Sequence, residues 1–146
     1  MKSTLETLPI DLSAKRTHRT ELHDLVKRIQ LSLLPQAAAK NSFIVNDISR
    51  TVSVVGEENS LAYIIGNLLS NAIYRTSDSC IRVETEFFGG QHHIRIRNNA
   101  AFAYSSYMHS LVHLVDVARK LGGNLGLETE ENSGVTIVLS LASNAA

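Results

Sequence analysis

Cysteine occurs once in the 146 residues, at Cys80, so no internal disulfide can form and a reducing, cytoplasmic setting is expected. Charge is equally sparse: 19% of residues are Asp, Glu, Lys or Arg, too few for a disordered tail or a coiled coil. The 14 basic and 14 acidic residues cancel, which argues against duplex nucleic acid as a partner, because neutralising phosphates requires a clustered positive field. No long hydrophobic run is present. The most apolar window, Leu61 to Ile73, contains two Asn and falls short of the roughly 18 to 20 residues that a bilayer needs. The opening MKSTLETLPIDLSAKR lacks the apolar core of a secretory signal. Internal repeats and low-complexity tracts are missing too. What remains is 44% apolar content in a chain of one-domain length, so one compact core is expected.

Met1 to Lys15 shows little periodicity and reads as a lead-in or linker, with a single domain over 16–146. Leu22, Leu25, Val26, Ile29 and Leu33 then fall on one helical face, with Thr20 as the expected N-cap and Pro35 expected to bend or end the helix. Phe43 to Ile48 and Thr51 to Val55 read as extended, either as a hairpin or as two short strands. The broadest apolar stripe follows, formed by Leu61, Ile64, Ile65, Leu68, Leu69 and Ala72. Strict alternation in Ile81-Arg82-Val83-Glu84 and in His93-Ile94-Arg95-Ile96-Arg97, on either side of Gly89-Gly90, predicts a hairpin with one buried face. Met108, Leu111, Leu114, Val115, Ala118 and Leu121 mark another helix, stopped by Gly122-Gly123. Leu125 to Thr129 and Val135 to Leu141 close the chain as a second hairpin about Asn132-Ser133-Gly134. Strand pairs alternating with one-faced helices predict an α/β fold, a two-layer sandwich whose mixed sheet is covered on one face. Leu61, Ile64, Leu68, Leu111, Leu114, Val115, Ile94, Ile96, Val83 and Val138 are expected to share its core.

Three stretches together carry a resemblance. Gly56-Glu57-Glu58-Asn59-Ser60-Leu61, running into Asn67-Leu68-Leu69-Ser70-Asn71-Ala72-Ile73, resembles the N-box of sensor histidine kinase ATP-binding domains, members of the GHKL superfamily that shares its fold with Hsp90-like ATPases. Asn67 and Asn71, four apart, lie together on one helix face, where two amides can reach phosphate oxygens and a Mg²⁺ ion. Ile94 to Ala100 stands where the family has a strand ending in Asp-Asn-Gly, and Leu111 to Thr136 is similar to its last helix, Gly-Gly stop and closing hairpin. The resemblance spans Leu22 to Leu141. It implies a remnant ATP site made of Asn67, Asn71, Arg75 and Asn98, with Asn71 the residue that would meet Mg²⁺.

The departures are chemical. In the family an Asp at the position of Asn98 accepts the adenine amino proton; Asn98 keeps an oxygen but loses the charge, worth roughly 1 kcal/mol. Ala100 adds a Cβ where the family has glycine, Tyr74 replaces a basic residue for which neighbouring Arg75 is the substitute, and Val135 replaces a Thr at the adenine end. Family members also insert a long lid ending in a glycine box whose backbone amides hold the phosphates. Here only Ala101 to Tyr107 occupies that interval, Met108-His109-Ser110-Leu111 stands at the box, and no glycine occurs between Gly90 and Gly122. The resemblance therefore implies a degenerate member with no bound cofactor or only weak Mg-ATP, no catalytic residue of its own, and a docking or regulatory role in a phosphorelay. Its implied partner is a response regulator or a histidine-containing phosphotransfer domain, with a homodimer as a further expectation. Thr20 to Lys27 and the loop Ala101 to Tyr107 are the expected docking surfaces.

Two other readings stay open: an active nucleotide-binding kinase domain that phosphorylates a histidine on a partner or a missing upstream segment, and an anti-sigma-type serine kinase, which also needs the glycine boxes. Glu21-Leu22-His23-Asp24-Leu25 resembles the segment around a phosphate-accepting histidine, although the interval before the N-box helix leaves no room for the second long helix of such kinases; a histidine on an exposed helix face is the alternative. His109 and His113 have metal-compatible i, i+4 spacing without a nearby third ligand in sequence, and His92 and His93 flank a hairpin turn. Cys80 is expected to be an ordinary buried thiol.

Overall fold

A computed structural model describes residues 19–98, 104–130 and 134–142. In chain order the elements are β1 (Arg19–Glu21), α1 (Leu22–Ser32), α2 (Leu34–Ala39), β2 (Phe43–Asn46), β3 (Ser53–Val55), α3 (Glu58–Tyr74), β4 (Cys80–Phe88), β5 (Gln91–Asn98), α4 (Tyr104–Lys120), β6 (Asn124–Glu130) and β7 (Gly134–Ala142). Five strands form one sheet in the order β2-β4-β5-β7-β6, parallel at β2–β4 and antiparallel elsewhere, while β1 and β3 make a separate two-stranded antiparallel sheet.

Period-two alternation decides which side of the sheet is buried. Register places Ile81 opposite Asn98, Val83 opposite Ile96, and Ile96 opposite Ile137, so these side chains share one face. That face receives the helices. Leu61, Ile64, Ile65, Leu68, Leu69 and Ala72 of α3 are all 0% exposed, and Leu111, Leu114 and Ala118 of α4 join the same cluster. The opposite face carries alternating charges. Arg97 pairs with Glu84 at 3.0 Å, Arg95 with Glu128 at 2.6 Å, and Arg82 with Asp47. Asp47 holds the Arg82 guanidinium above its usual range, first through the hydrogen bond and then through its charge. The mixed sheet, covered by helices on one face, has the expected architecture.

Several local expectations are corrected. Val115 and Val138 are half-buried and lie outside the core; Val138 sits opposite Arg95 and Gly126, on the charged face. Thr20 is not the N-cap. It is a buried β1 residue whose hydroxyl donates to the Gly56 carbonyl at 3.0 Å, and Glu21 caps α1 by accepting from the Asp24 amide at 3.2 Å. Of the two effects expected of Pro35, the helix ends rather than bends, stopping at Ser32, and Pro35 lies in the first turn of the short α2 that Leu34 begins. Of the two arrangements expected for Phe43 to Ile48 and Thr51 to Val55, the chain has two short strands and not a hairpin: β2 runs parallel to β4 and β3 pairs with β1. Cys80 is only half-buried, opposite Phe43 at the start of β4. The interval expected to be a loop is helical from Tyr104 onward; Ala101, like Met1 to Lys15 and the turn residues Asn132-Ser133, lies outside the described residues.

The stop after α4 is as expected, and its cause is visible. Gly122 takes φ +80°, its amide donates to Arg119 and the Gly123 amide donates to Ala118, which together satisfy two last-turn carbonyls. Gly123 has a second duty. A Cβ there would stand 2.0 Å from the Ser140 carbonyl oxygen, so the chain passes against β7 only because this residue has no side chain.

Candidate functional site

With its apolar stripe on the sheet, α3 turns Asn67, Asn71 and Arg75 outward at four-residue intervals. These three line a cavity of about 640 Å³ walled by α2 on one side and α4 on the other. α2 contributes Gln36 and Ala39, followed by Lys40 just past its end, and α4 contributes Ser110. Arg75 Nε donates to Asn71 Oδ1 at 3.1 Å, and Ser110 Oγ donates to the same oxygen at 3.4 Å. Asn67 turns back on its own helix, donating from Nδ2 to the Tyr63 carbonyl at 2.7 Å. Lys40 Nζ donates to the Tyr74 carbonyl at 3.1 Å and sits 5.4 Å from the Tyr74 ring centroid, so the cavity holds two cations, Lys40 and Arg75. Among the described residues that line it, none is acidic.

Asn98 does not line this cavity. It is 2% exposed beneath the end of α3, where its Nδ2 donates to the Ala72 carbonyl at 3.3 Å. Its Oδ1 accepts from Ser79 Oγ at 3.1 Å and from Thr76 Oγ1 at 3.4 Å. Ala72 is in the last turn of α3, where carbonyls lack intrahelical donors, so Asn98 acts as a cap supplied by the sheet. Val135 is buried directly opposite Asn98 in the ladder. The fold thus brings Asn67, Asn71 and Arg75 together and leaves Asn98 behind them. Gln36, Lys40 and Ser110 were not singled out from the sequence. Only Lys40 carried a signal, a cation just past a helix C-terminus, which is common without any ligand.

The remaining candidates separate. His23 is half-buried rather than exposed; its Nδ1 has no hydrogen-bond partner among the described residues, and Asp24 Oδ1 is 3.7 Å away. Ligand atoms of Glu21, His23 and Asp24 lie within 4.8 Å of one another. That cluster sits at the positive end of α1, and Arg50 is already 3.6 Å from Asp24 Oδ1, so positive charge is supplied without a metal. His109 and His113 are both exposed on α4, and no third ligand joins them among the described residues. His93 is fixed between Ser140 Oγ at 2.7 Å and the Phe88 carbonyl at 3.2 Å, stacked on the Phe88 ring at 3.9 Å. His92 lies against Phe87 and titrates below its ordinary value of 6.5, because of desolvation first and then the charges of Arg19 and His93.

No protein-family model matches the sequence, and no curated protein matches it. Solved structures do match in fold. The ATP binding domain of PrrB from Mycobacterium tuberculosis superposes with a TM-score of 0.71 at 18% identity, covering 88% of this chain and 98% of that one. The histidine kinase AdeS of Acinetobacter baumannii gives 0.74 at 13% identity over 97% of this chain and 79% of that one. The histidine kinase ThkA, solved in complex with the response regulator protein TrrA, gives 0.72 at 14% identity, covering 98% of this chain and 48% of that one. The chain has the fold of histidine kinase catalytic domains. No helix among the described residues is long and apolar enough to cross a membrane.

Proposed function

We propose that this chain is a docking or regulatory module of a two-component phosphorelay, built on the histidine kinase ATP-binding fold but holding Mg-ATP weakly or not at all. The observation that carries the reading is Asn98. At the position where the family resemblance expects an adenine-binding carboxylate, this side chain is uncharged and buried, with its amide and its oxygen engaged by Ala72, Thr76 and Ser79. The stretch between Gly90 and Gly122 supports it further, since it offers none of the glycines on which the family's backbone cradle for phosphates is built. The partner in this reading is a response regulator or a histidine-containing phosphotransfer domain, a reading supported by the fold shared with ThkA, which was solved with its response regulator.

The second reading, an active ATP-binding kinase domain, is favoured by the cavity beside Asn67, Asn71 and Arg75. There Asn71 Oδ1 would have to exchange its bonds from Arg75 and Ser110 for Mg²⁺. Calorimetric titration with Mg-ATP and Mg-ADP separates the two. A dissociation constant of about a millimolar or weaker is expected, corresponding to about 4 kcal/mol. Micromolar affinity abolished by Asn71→Ala refutes the docking-module reading and establishes the kinase alternative. Micromolar affinity that survives the substitution refutes it too and moves the nucleotide to another site.

A further inference from the structure

β4 is paired along only part of its outer side. The register between β4 and β5 runs unbroken from Ile81 to Phe88, but β2 accompanies β4 only as far as Asn46 opposite Val83. The carbonyls of Ser79 and Val83 accept from the amides of Phe43 and Asp47 at 3.1 and 2.8 Å, so alternate residues of this stretch turn their backbone groups toward β2. Thr85 and Phe87 continue that series past the end of β2, and among the described residues no strand lies opposite them on that side. Burial shows the same asymmetry. Glu86, Phe87 and Phe88 are exposed, whereas His93, His92 and Gln91 across from them are buried or half-buried, because β7 flanks β5 there.

The side chains on this open edge do little to guard it. Native sheets blunt exposed edges with proline, charge or a covering element; here Glu86 is followed by Phe87 and Phe88, which are 57% and 53% exposed. Both rings rest on neighbours, Phe87 tilted against His92 with centroids 4.9 Å apart and Phe88 stacked on His93 at 3.9 Å. Glu86 shares the charged face of the sheet with Glu84, but Glu84 is taken by Arg97, and no cation among the described residues pairs with Glu86. His93 stands opposite Glu86 with both ring nitrogens already engaged, by Ser140 and by the Phe88 carbonyl. The edge thus combines outward backbone groups that no strand takes up with two exposed aromatic rings and a carboxylate.

We infer that the β4 edge from Glu84 to Phe88 accepts an extended segment of a partner protein as an added antiparallel strand, with Lys or Arg opposite Glu86 and an apolar side chain against Phe87. The open stretch is about 17 Å long at the usual rise of a strand. Within it Thr85 and Phe87 can each exchange both N–H and C=O with the residue opposite, which supplies affinity, while the side chains on either face supply selection. Charge complementarity makes the incoming strand basic. The same charge disfavours a second copy of the chain, because a two-fold register that uses both Thr85 and Phe87 sets Glu86 directly opposite its own counterpart, and like charges so placed are destabilising. None of these residues lines the cavity beside Asn67, Asn71 and Arg75, so this surface stands whether or not the chain binds nucleotide.

The test starts with amide hydrogen exchange of the full chain by NMR, in which Thr85 and Phe87 are expected to exchange at least tenfold faster than Glu84 and Glu86, whose amides face β5. Random twelve-residue peptides displayed on phage are then selected on the chain after depletion on Thr85→Pro, a substitution that removes one outward donor where an edge strand tolerates proline. Enriched peptides are expected to carry Lys or Arg beside Val, Ile, Phe or Tyr, and to slow exchange at Thr85 and Phe87 when bound. By fluorescence anisotropy their affinity should fall at least tenfold in Thr85→Pro and in Glu86→Lys, and exchanging the peptide's basic residue for Glu should recover binding to Glu86→Lys, with circular dichroism melts confirming that both variants fold. Slow exchange at Thr85 and Phe87 in the free chain, no enrichment, enrichment without basic residues, or bound peptides that leave those two amides unchanged each overturns the inference. Self-association seen by sedimentation and lost in Thr85→Pro also overturns it, by giving the edge to a second copy.

Discussion

Replacing Asn98 by aspartate restores the charge that the resemblance expects, and the geometry predicts that it damages the fold instead. In Asn98→Asp the donor to the Ala72 carbonyl is lost, and a carboxylate oxygen faces that carbonyl beneath the end of α3. A buried carbonyl left without a partner costs about 1 to 3 kcal/mol, and a negative charge at a helix C-terminus opposes the macrodipole by a further 0.3 to 1 kcal/mol or so. The hydroxyls of Thr76 and Ser79 still donate to the other oxygen, so they offset none of the loss at Ala72. A destabilisation of about 1 to 4 kcal/mol follows, which corresponds to a melting point lower by roughly 3 to 15 °C for a chain of this size. The pH dependence gives an independent check. Burial raises a carboxyl pKa above its usual value of about 3.9, so the folded variant retains a proton that the unfolded chain has already released. Its deficit against the parent should be largest near neutral pH and shrink as pH falls through that raised pKa. Urea denaturation at pH 7.5 and 5, with unchanged m-values, measures this. A variant as stable as the parent at neutral pH, or one that gains Mg-ATP binding, refutes the assignment of Asn98 as a helix cap.

Three further outcomes are expected. Leu68→Ala removes a side chain that is 0% exposed and should cost roughly 2 to 5 kcal/mol by urea denaturation; a loss below about 1 kcal/mol contradicts the buried face of α3. Gly123→Ala should lower the melting temperature clearly, because its Cβ would stand 2.0 Å from the backbone oxygen of Ser140, and an unchanged melt refutes that close approach. His92 titrates below 6.5 in the folded chain, so acidification protonates the unfolded state first and stability falls as pH drops below about 6.5. His92→Gln should flatten melting temperature against pH between 7.5 and 5.5, and an unchanged slope assigns the acid sensitivity to other groups.

Elements whose partners are close in sequence were legible without the structure. The β4–β5 hairpin followed from alternation about Gly89-Gly90, and α3 from its stripe, because both signals are local. Pairings that depend on distant partners were not. Thr51 to Val55 gave no sign that its strand joins β1, and Val138 looks as apolar as Leu139 although it faces the charged side. The same limit governs the site. Asn67, Asn71 and Arg75 share a helix, so their convergence could be read from spacing, whereas Lys40 and Ser110 arrive from other elements. Asn98 was expected beside them because substitution at a motif position preserves the alignment. The alignment carries no information about which neighbours take up the amide, and in the folded chain those are Ala72, Thr76 and Ser79.

The strand order has a consequence for how the chain is made. β7 lies between β5 and β6, yet it follows both in sequence. During synthesis β4 and β5 can zip together as soon as they emerge, but one edge of β5 stays unsatisfied while α4 and β6 are being added, and β6 has no neighbour at all. An open edge of this kind is a template for pairing with another chain. The nascent protein is therefore most exposed to intermolecular association just before its final strand is released, and insertion of that strand closes the β5 edge and recruits β6 in one event. Chains truncated before Gly134 and released from the ribosome should accordingly be sticky and chaperone-bound, and released chains that include β7 through Ala142 should not.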